Sequence, residues 1–300
     1  MDRLEAMTVF LSAVEGGSLS AAGRKLGMPL ATISRKLSDL EAHLKARLLN
    51  RSTRRLTLTD AGRDYLAACK RILEDVTDAE RAAAGEFSEP RGDLVVTAPI
   101  VFGRLHVLPV IAEFLSAYPE VNVRLVQGDR VVHLLDEHVD LAVRIGELPD
   151  SRLTATRLGA IRRVVCASPD YLSAHGQPAS PGELSDHRCI TFDAMSAPEA
   201  WSFRVDGADI SVPVRSRLMV NTAEAAIDAA TTGVGVTRVL SYQIETAQRS
   251  GQLQAVLREF EPAPLPVSLV YPGQRRLPLK LRAFLDYATP RLRERLATGD

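Results

Sequence analysis

The chain has 300 residues, 46% of them hydrophobic and 25% charged, with no net charge at pH 7; that length suits two or three globular domains better than one. No apolar run approaches the about 18–20 residues of a bilayer crossing. The N-terminus "MDRLEAMTVFLSAVEGG" carries Glu5 and Glu15 and lacks a signal peptide's apolar region and cleavage site, so a cytoplasmic protein is expected.

The zero charge conceals an asymmetry. Residues 24–71 hold twelve Lys or Arg against four Asp or Glu, so this window is +8 and the remainder −8. A basic binding module fused to a non-binding body has that distribution.

Leu4, Met7, Phe10, Leu11 and Val14 recur at helical spacing, and Gly16-Gly17 end that helix. Ser18 is a good N-cap for a second helix with Leu19, Ala22 and Leu26 on one face, ended by Gly27. Only Gly27 and Met28 precede Pro29, which suits the first turn of a third helix. Two short helices so tightly joined read as a helix-turn-helix. At about 100° per residue, Ile33, Leu37, Leu40 and Leu44 share one stripe, with Leu30 at its edge. Opposite lie Ala31, Arg35 and Ser38, flanked by Thr32 and Ser34.

Small side chains on that free face allow close approach of the backbone. Hydroxyls contact phosphates or base edges, and an arginine grips guanine O6 and N7 bidentately. Alone, such a face is usually just solvated. The next stretch argues for a recognition helix in a major groove. Leu56 and Leu58 alternate with Thr57 and Thr59 as in a strand. Residues 50–55 before it read as a hairpin tip loaded with Arg51, Arg54 and Arg55, a wing placed to hold phosphate or reach a minor groove.

Residues 18–62, "SLSAAGRKLGMPLATISRKLSDLEAHLKARLLNRSTRRLTLTDAG", closely resemble the winged helix-turn-helix of LysR-type transcriptional regulators. The likeness covers the Ser18/Ala21/Ala22 helix opening, the "TISRKLSDLE" recognition helix and the "LLNRSTRRLTLTDAG" wing. One departure is that many members have serine where Pro29 stands and a polar residue where Leu30 stands. The candidate DNA-contacting set is Ser18, Ala31, Thr32, Ser34, Arg35, Ser38, Arg51, Arg54 and Arg55. Thr59 is suited to cap a long helix over residues 60–88, whose Leu66, Cys69, Leu73, Val76 and Ala83 keep a near-heptad seam. A solitary helix of that length buries its stripe on the body or on a second copy; the resemblance implies pairing, and a dimer of dimers on interrupted palindromes. "GEFSEPRGD" then opens a new domain.

Beyond Asp93 the pattern alternates. "DLVVTA", "VNVRLV", "DLAVRI", "RRVVCAS" and "GVGVT" read as strands, and residues 102–117, 131–137 and 223–232 as helices. "LPVSLVYP" and a helix over residues 279–292 form a return. Such alternation predicts an α/β body of parallel units, and about 210 residues suit two lobes. Ligands in such sheets sit past the carboxyl ends of strands, here the loops "TAPIV", "QGD", "RIG", "TFDA", "VNT" and "TGVGVTR"; each alone also reads as an ordinary turn. "APIVFGRLHVLPVIAEFLSAYPEVNVRL", "DLAVRIGELPDS", "ASPDYL" and "YPGQRRLPLKLRAFLDY" resemble the effector-binding domain of the same family, which is periplasmic-binding-protein-like, with two lobes around a cleft. The resemblance implies that Thr97, Pro99, Ile100, Arg144, Gly146, Phe192, Asn221, Gly233 and Gly235 approach a small-molecule effector there. The expected division is a winged helix-turn-helix at residues 1–59, a linker helix at 60–89 and an effector domain at 90–300. Its lobe I takes residues 91–165 and 267–300, and lobe II residues 166–266.

Enzyme readings are weak. Gly233 and Gly235 begin a G-x-G-x-x-G, but its third glycine is Arg238. His133 and His138 of "HLLDEH" are turned by about 140° on a helix and cannot share a metal. No nucleophile elbow or Walker loop is present, so no catalytic residue, metal or cofactor is expected. Cys69, Cys166 and Cys189 are odd in number and form no C-x-x-C. A redox-sensing Cys166/Cys189 pair is one reading, buried small hydrophobes the other. A solute-binding protein with an accessory oligomerisation domain is the competing function, and the basic wing argues against it.

Overall fold

Asp2 opens the first helix by accepting the backbone N–H groups of Leu4 (3.0 Å) and Glu5 (3.2 Å), the usual work of an N-cap. The computed structural model describes residues 1–51, 56–83, 89–130, 134, 137–148, 153–192, 200–273 and 277–297. They form two units, Met1–Gly92 and Asp93–Asp300.

In the first unit, α1 (Arg3–Glu15), α2 (Leu19–Leu26) and α3 (Leu30–Leu44) enclose a core of Val9, Phe10, Ala22, Ile33, Leu37 and Leu40. Ser18 caps α2 through Ala21 N at 3.1 Å, and Gly27 ends it at φ 65°, a left-handed conformation that glycine adopts freely. Two expectations shift. Pro29 stands just before α3, at its N-cap. Leu30, placed at the edge of the buried stripe, is the first residue of α3 and 51% exposed. Strands β1 (Leu49–Arg51) and β2 (Leu56–Leu58) pair antiparallel. Thr59 Oγ1 then accepts Gly62 N (2.9 Å) and donates to Arg47 O (2.6 Å), heading α4 (Asp60–Ala83). The predicted seam is divided: Leu66 and Cys69 pack on the unit's own core, and Leu73 and Val76 remain half-buried. The last five residues of the predicted helix lie outside the described residues.

The second unit has two five-stranded sheets. Lobe I is ordered β4 (Val121–Gln127), β3 (Gly92–Ala98), β5 (Leu141–Ile145), β14 (Leu265–Pro272), β6 (Leu153–Ile161). Lobe II is ordered β11 (Ser216–Val220), β8 (Cys189–Phe192), β12 (Val236–Leu240), β7 (Arg163–Ala167), β13 (Gln254–Val256). The sheets are mixed, which corrects the all-parallel expectation. β3 and β5 run parallel, as do β11, β8 and β12, whereas β14 is antiparallel to β5 and β6, and β7 to β12 and β13. A parallel partner needs a long crossover, and β6 and β7 are separated only by Arg162 as the chain changes lobe.

Helix α5 (Ile100–Ala117) starts two residues earlier than predicted and contains a π turn at Gly103–Val107. By length and apolar composition it matches a bilayer span, against the expectation that no such stretch exists. Its Phe102, Val107, Val110, Ile111 and Phe114 nevertheless lie in the lobe I core, beside Phe284 and Leu292 of α9. Helices α6 (Pro169–His175), α7 (Ala223–Thr231) and α8 (Ser241–Arg249) belong to lobe II, and α9 (Leu279–Ala297) runs five residues past its predicted end. Strand β6 and the hairpin β9 (Ala200–Val205)–β10 (Ala208–Pro213) had no sequence counterpart. The predicted helix over 131–137 lies mostly outside the described residues; Leu134 and Glu137 are in turns.

Candidate nucleic-acid interface and effector cleft

Helix α3 divides as its sequence implies. Ile33, Leu37 and Leu40 are at most 1% exposed, Ala31, Arg35 and Ser38 face solvent, and Thr32 and Ser34 are half-buried. Among the described residues Arg35 forms no ion pair, whereas Lys36 beside it is held by Glu5. Ser18 is half-buried, its hydroxyl engaged as the α2 cap. Glu41, which sequence reasoning missed, accepts Leu48 N (2.9 Å) and Leu49 N (3.1 Å) and so ties the end of α3 to the first wing strand. A shallow concavity of about 610 Å³, lined by Ser38, Glu41, Lys45, Arg47 and Leu49, lies there. Arg51 is in β1 opposite Leu56; Arg54 and Arg55 lie outside the described residues.

In the body, strand direction decides which loops meet. Pro99 and Gly146 follow the carboxyl ends of the parallel strands β3 and β5. Both lobe crossovers leave from the same end, where β6 finishes and β14 begins. In lobe II that side corresponds to the start of β7 and the carboxyl ends of β8, β11 and β12, where Phe192 and Asn221 stand. Phe192 packs against both the lobe I core and the core beneath α7 and α8; Asn221 is exposed just before the α7 cap, Thr222. Thr97 is buried on β3 opposite Ala142. Pro99 precedes α5, and Ile100 N donates to Asp129 Oδ1 at 3.1 Å. Arg144 sits half-buried opposite Ser268, and burial lowers its pKa, countered in part by Glu137. Gly146 N donates to Pro266 O at 2.9 Å.

Gly233 and Gly235 are not with this group. They precede the amino end of β12, where a Cβ on Gly235 would stand 2.1 Å from Arg188 O. Gly235 is thus needed for close packing of β12 on the strand start beside it. The "TGVGVTR" loop opens at the end of the sheet away from the crossovers.

Asp129 of the "QGD" loop joins the lobe junction, and so does Tyr242, which had no recognisable sequence signal. Tyr242 is buried, edge-on to Phe102 of lobe I (centroids 5.5 Å apart, 89°), and 5.4 Å from His106. Burial, then the Asp129 charge, raises its hydroxyl pKa, so it is neutral at physiological pH. Burial, and then Arg295, lowers the His106 pKa. Arg162 and Glu261 pair at 3.0 Å and tie the two crossovers together.

The redox reading fails on geometry. Cys166 and Cys189 belong to cores on opposite faces of the lobe II sheet. Burial pushes the thiols of Cys69, Cys166 and Cys189 up to about 11, 12 and 11. Among the described residues no group of His, Cys, Asp or Glu is placed to hold a metal ion; His133 of "HLLDEH" lies outside them.

A winged helix-turn-helix with an open polar face, on the same chain as a two-lobed α/β body, defines a DNA-binding regulator with a small-molecule receptor. Residues 4–63 match the family described as bacterial regulatory helix-turn-helix protein, lysR family, and residues 87–293 the LysR substrate binding domain. The chain belongs to the LysR family of transcriptional regulators, which are not enzymes. It is 36% identical over 289 residues to an HTH-type transcriptional regulator of Xanthomonas campestris pv. campestris (strain 8004), covering 95% of this chain and 84% of that one. With the HTH-type transcriptional activator AaeR of Escherichia coli (strain K12) it shares 32% identity, over 96% and 94% of the two chains. The solved structure of CrgA, a LysR-type transcriptional regulator from Neisseria meningitidis, is similar with a TM-score of 0.62 at 31% identity, covering 96% and 98%.

Proposed function

We propose that Ala31, Thr32, Ser34, Arg35 and Ser38 of α3 enter a major groove, with Ser18 and the wing arginines Arg51, Arg54 and Arg55 on the flanking backbone. The supporting observation is the exposed, small-residue side of α3 with Arg35 unpaired among the described residues. The effector lies between the lobes, near Thr97, Pro99, Ile100, Arg144, Gly146, Phe192 and Asn221; Gly235 serves packing instead, and Gly233 a turn at φ 80°. The working division is residues 1–59 for DNA, 60–89 for pairing and 90–300 for the effector. Copies pair along α4, two pairs form a tetramer, and the protein works in the cytoplasm. Effector binding favours one lobe or subunit arrangement and so alters the spacing of paired DNA modules, a coupling of two binding equilibria.

The test is a gel shift on the cognate operator with Arg35→Ala. Loss of a bidentate base contact is expected to cost about 1–3 kcal/mol and to relax specificity at one position. Unchanged affinity and specificity remove Arg35 from base reading.

A further inference from the structure

Arg163 and Arg238 are the unexplained charges of lobe II. The antiparallel register sets Arg163 opposite Leu240 and Arg238 opposite Val165. The two arginines therefore share a face of adjacent strands as diagonal neighbours, with Cα atoms roughly 7–8 Å apart, within reach of a single bridging anion. Both are half-buried. Among the described residues neither forms an ion pair, unlike Arg162 next in sequence, which has Glu261. The Arg238 guanidinium lies 5.5 Å from the Trp201 ring centroid and donates to Ser202 O at 3.3 Å. Burial and then the Arg163 charge push its pKa down to about 10, and burial lowers that of Arg163; both remain cationic at neutral pH.

Two desolvated like charges on adjacent strands are unfavourable without a counter-charge. The position at which a helix would ordinarily take an anion here, the amino end of α5, already holds the Asp129 carboxylate on Ile100 N. An incoming anion meets repulsion there and two guanidinium forks on lobe II.

We propose that Arg163 and Arg238 form an anion subsite of the receptor body, in which one oxyanion of the effector, a carboxylate or a phosphate, bridges the two guanidiniums in front of Trp201. The inference rests on reading the body as a small-molecule receptor and names the class of molecule it takes. Arg163 is the first residue of β7 after the lobe crossover, so the anion ties the crossover strand to β12 and links occupancy to the lobe junction.

Trp201 is the single tryptophan of the chain and touches Arg238, so its emission reports directly on the site. Full-length protein, without DNA, is titrated with sodium phosphate or sodium benzoate at constant ionic strength held by chloride. Expected is a saturable change in Trp201 emission and a parallel rise in unfolding temperature with at least one of them. Phosphate alone identifies a phosphorylated or inorganic ligand, benzoate alone an organic acid. Arg163→Gln and Arg238→Gln should weaken the response at least tenfold, and Arg238→Lys, which keeps charge but loses the fork, should weaken it as well. Without added anion, Arg163→Gln should unfold no earlier than wild type, because one of two repelling charges is gone. A response that chloride reproduces, or that survives both glutamine variants, overturns the site. So does an Arg163→Gln protein that is less stable without anion, which would make that arginine structural. Failure of operator binding leaves this readout untouched, so the two proposals fail separately.

Discussion

Arg35 and Lys36 are adjacent cations on one helix with different fates: Glu5 holds Lys36, and Arg35 projects into solvent. The same sorting by environment applies to the thiols. With pKa values of about 11–12, Cys69, Cys166 and Cys189 carry almost no thiolate at pH 8, and only the thiolate attacks. Ellman's reagent at pH 8 should therefore label the native protein slowly and all three thiols once it is unfolded; rapid labelling of one thiol in the native state would restore a sensing role. Gly235 gives a second prediction at this scale. Gly235→Ala places a methyl group against the Arg188 carbonyl and is expected to destabilise the body by about 1–3 kcal/mol through overpacking, read as an earlier thermal transition. An unchanged transition would mean the two strand starts can move apart.

The elements of the first unit were legible because their signals are local. Ser18 and Gly27 bracket α2, and the Ile33/Leu37/Leu40 stripe fixes the inward side of α3, all within a few residues. The tie from Glu41 to the wing escaped notice because its backbone donors lie seven and eight residues away across a turn. Its removal is testable. Glu41→Ala leaves two partly buried N–H groups without their carboxylate and should cost about 1–3 kcal/mol, together with weaker DNA binding as the wing loosens. Full retention of both would show that β2 alone positions the wing. In the body, the alternating pattern located β3, β4, β5, β7, β12 and β14, missed β6, β9 and β10, and implied a parallel direction that β7 and β14 do not follow. Gly233 and Gly235 were grouped with Phe192 and Asn221 by the family resemblance, with "TGVGVTR" read as a loop past a strand's carboxyl end. The two pairs fall at opposite ends of the sheet once β8, β11 and β12 are known to be parallel. Asp129 was legible only as part of the "QGD" loop, and Tyr242 not at all, for a related reason: their partners, Ile100 and Phe102, lie on α5, far along the chain.

At the scale of the molecule, the +8 window at residues 24–71 falls within the helix-turn-helix, its wing and the start of α4, the DNA-binding part of a LysR-family regulator. The seam of α4 is only partly used by its own unit: Leu73 and Val76 stay half-buried, and Ile72 beside the seam is 39% exposed, as on a helix that pairs with a second copy. Paired copies would present two α3 helices to one side of a duplex, at a separation set by the pairing helices. Hydroxyl-radical footprinting of the full-length protein on its operator tests this most directly. The account predicts two protected half-sites on one face of the duplex, related by approximate two-fold symmetry and a whole number of turns apart. Uniform protection without sequence register, or none at low salt, would contradict it.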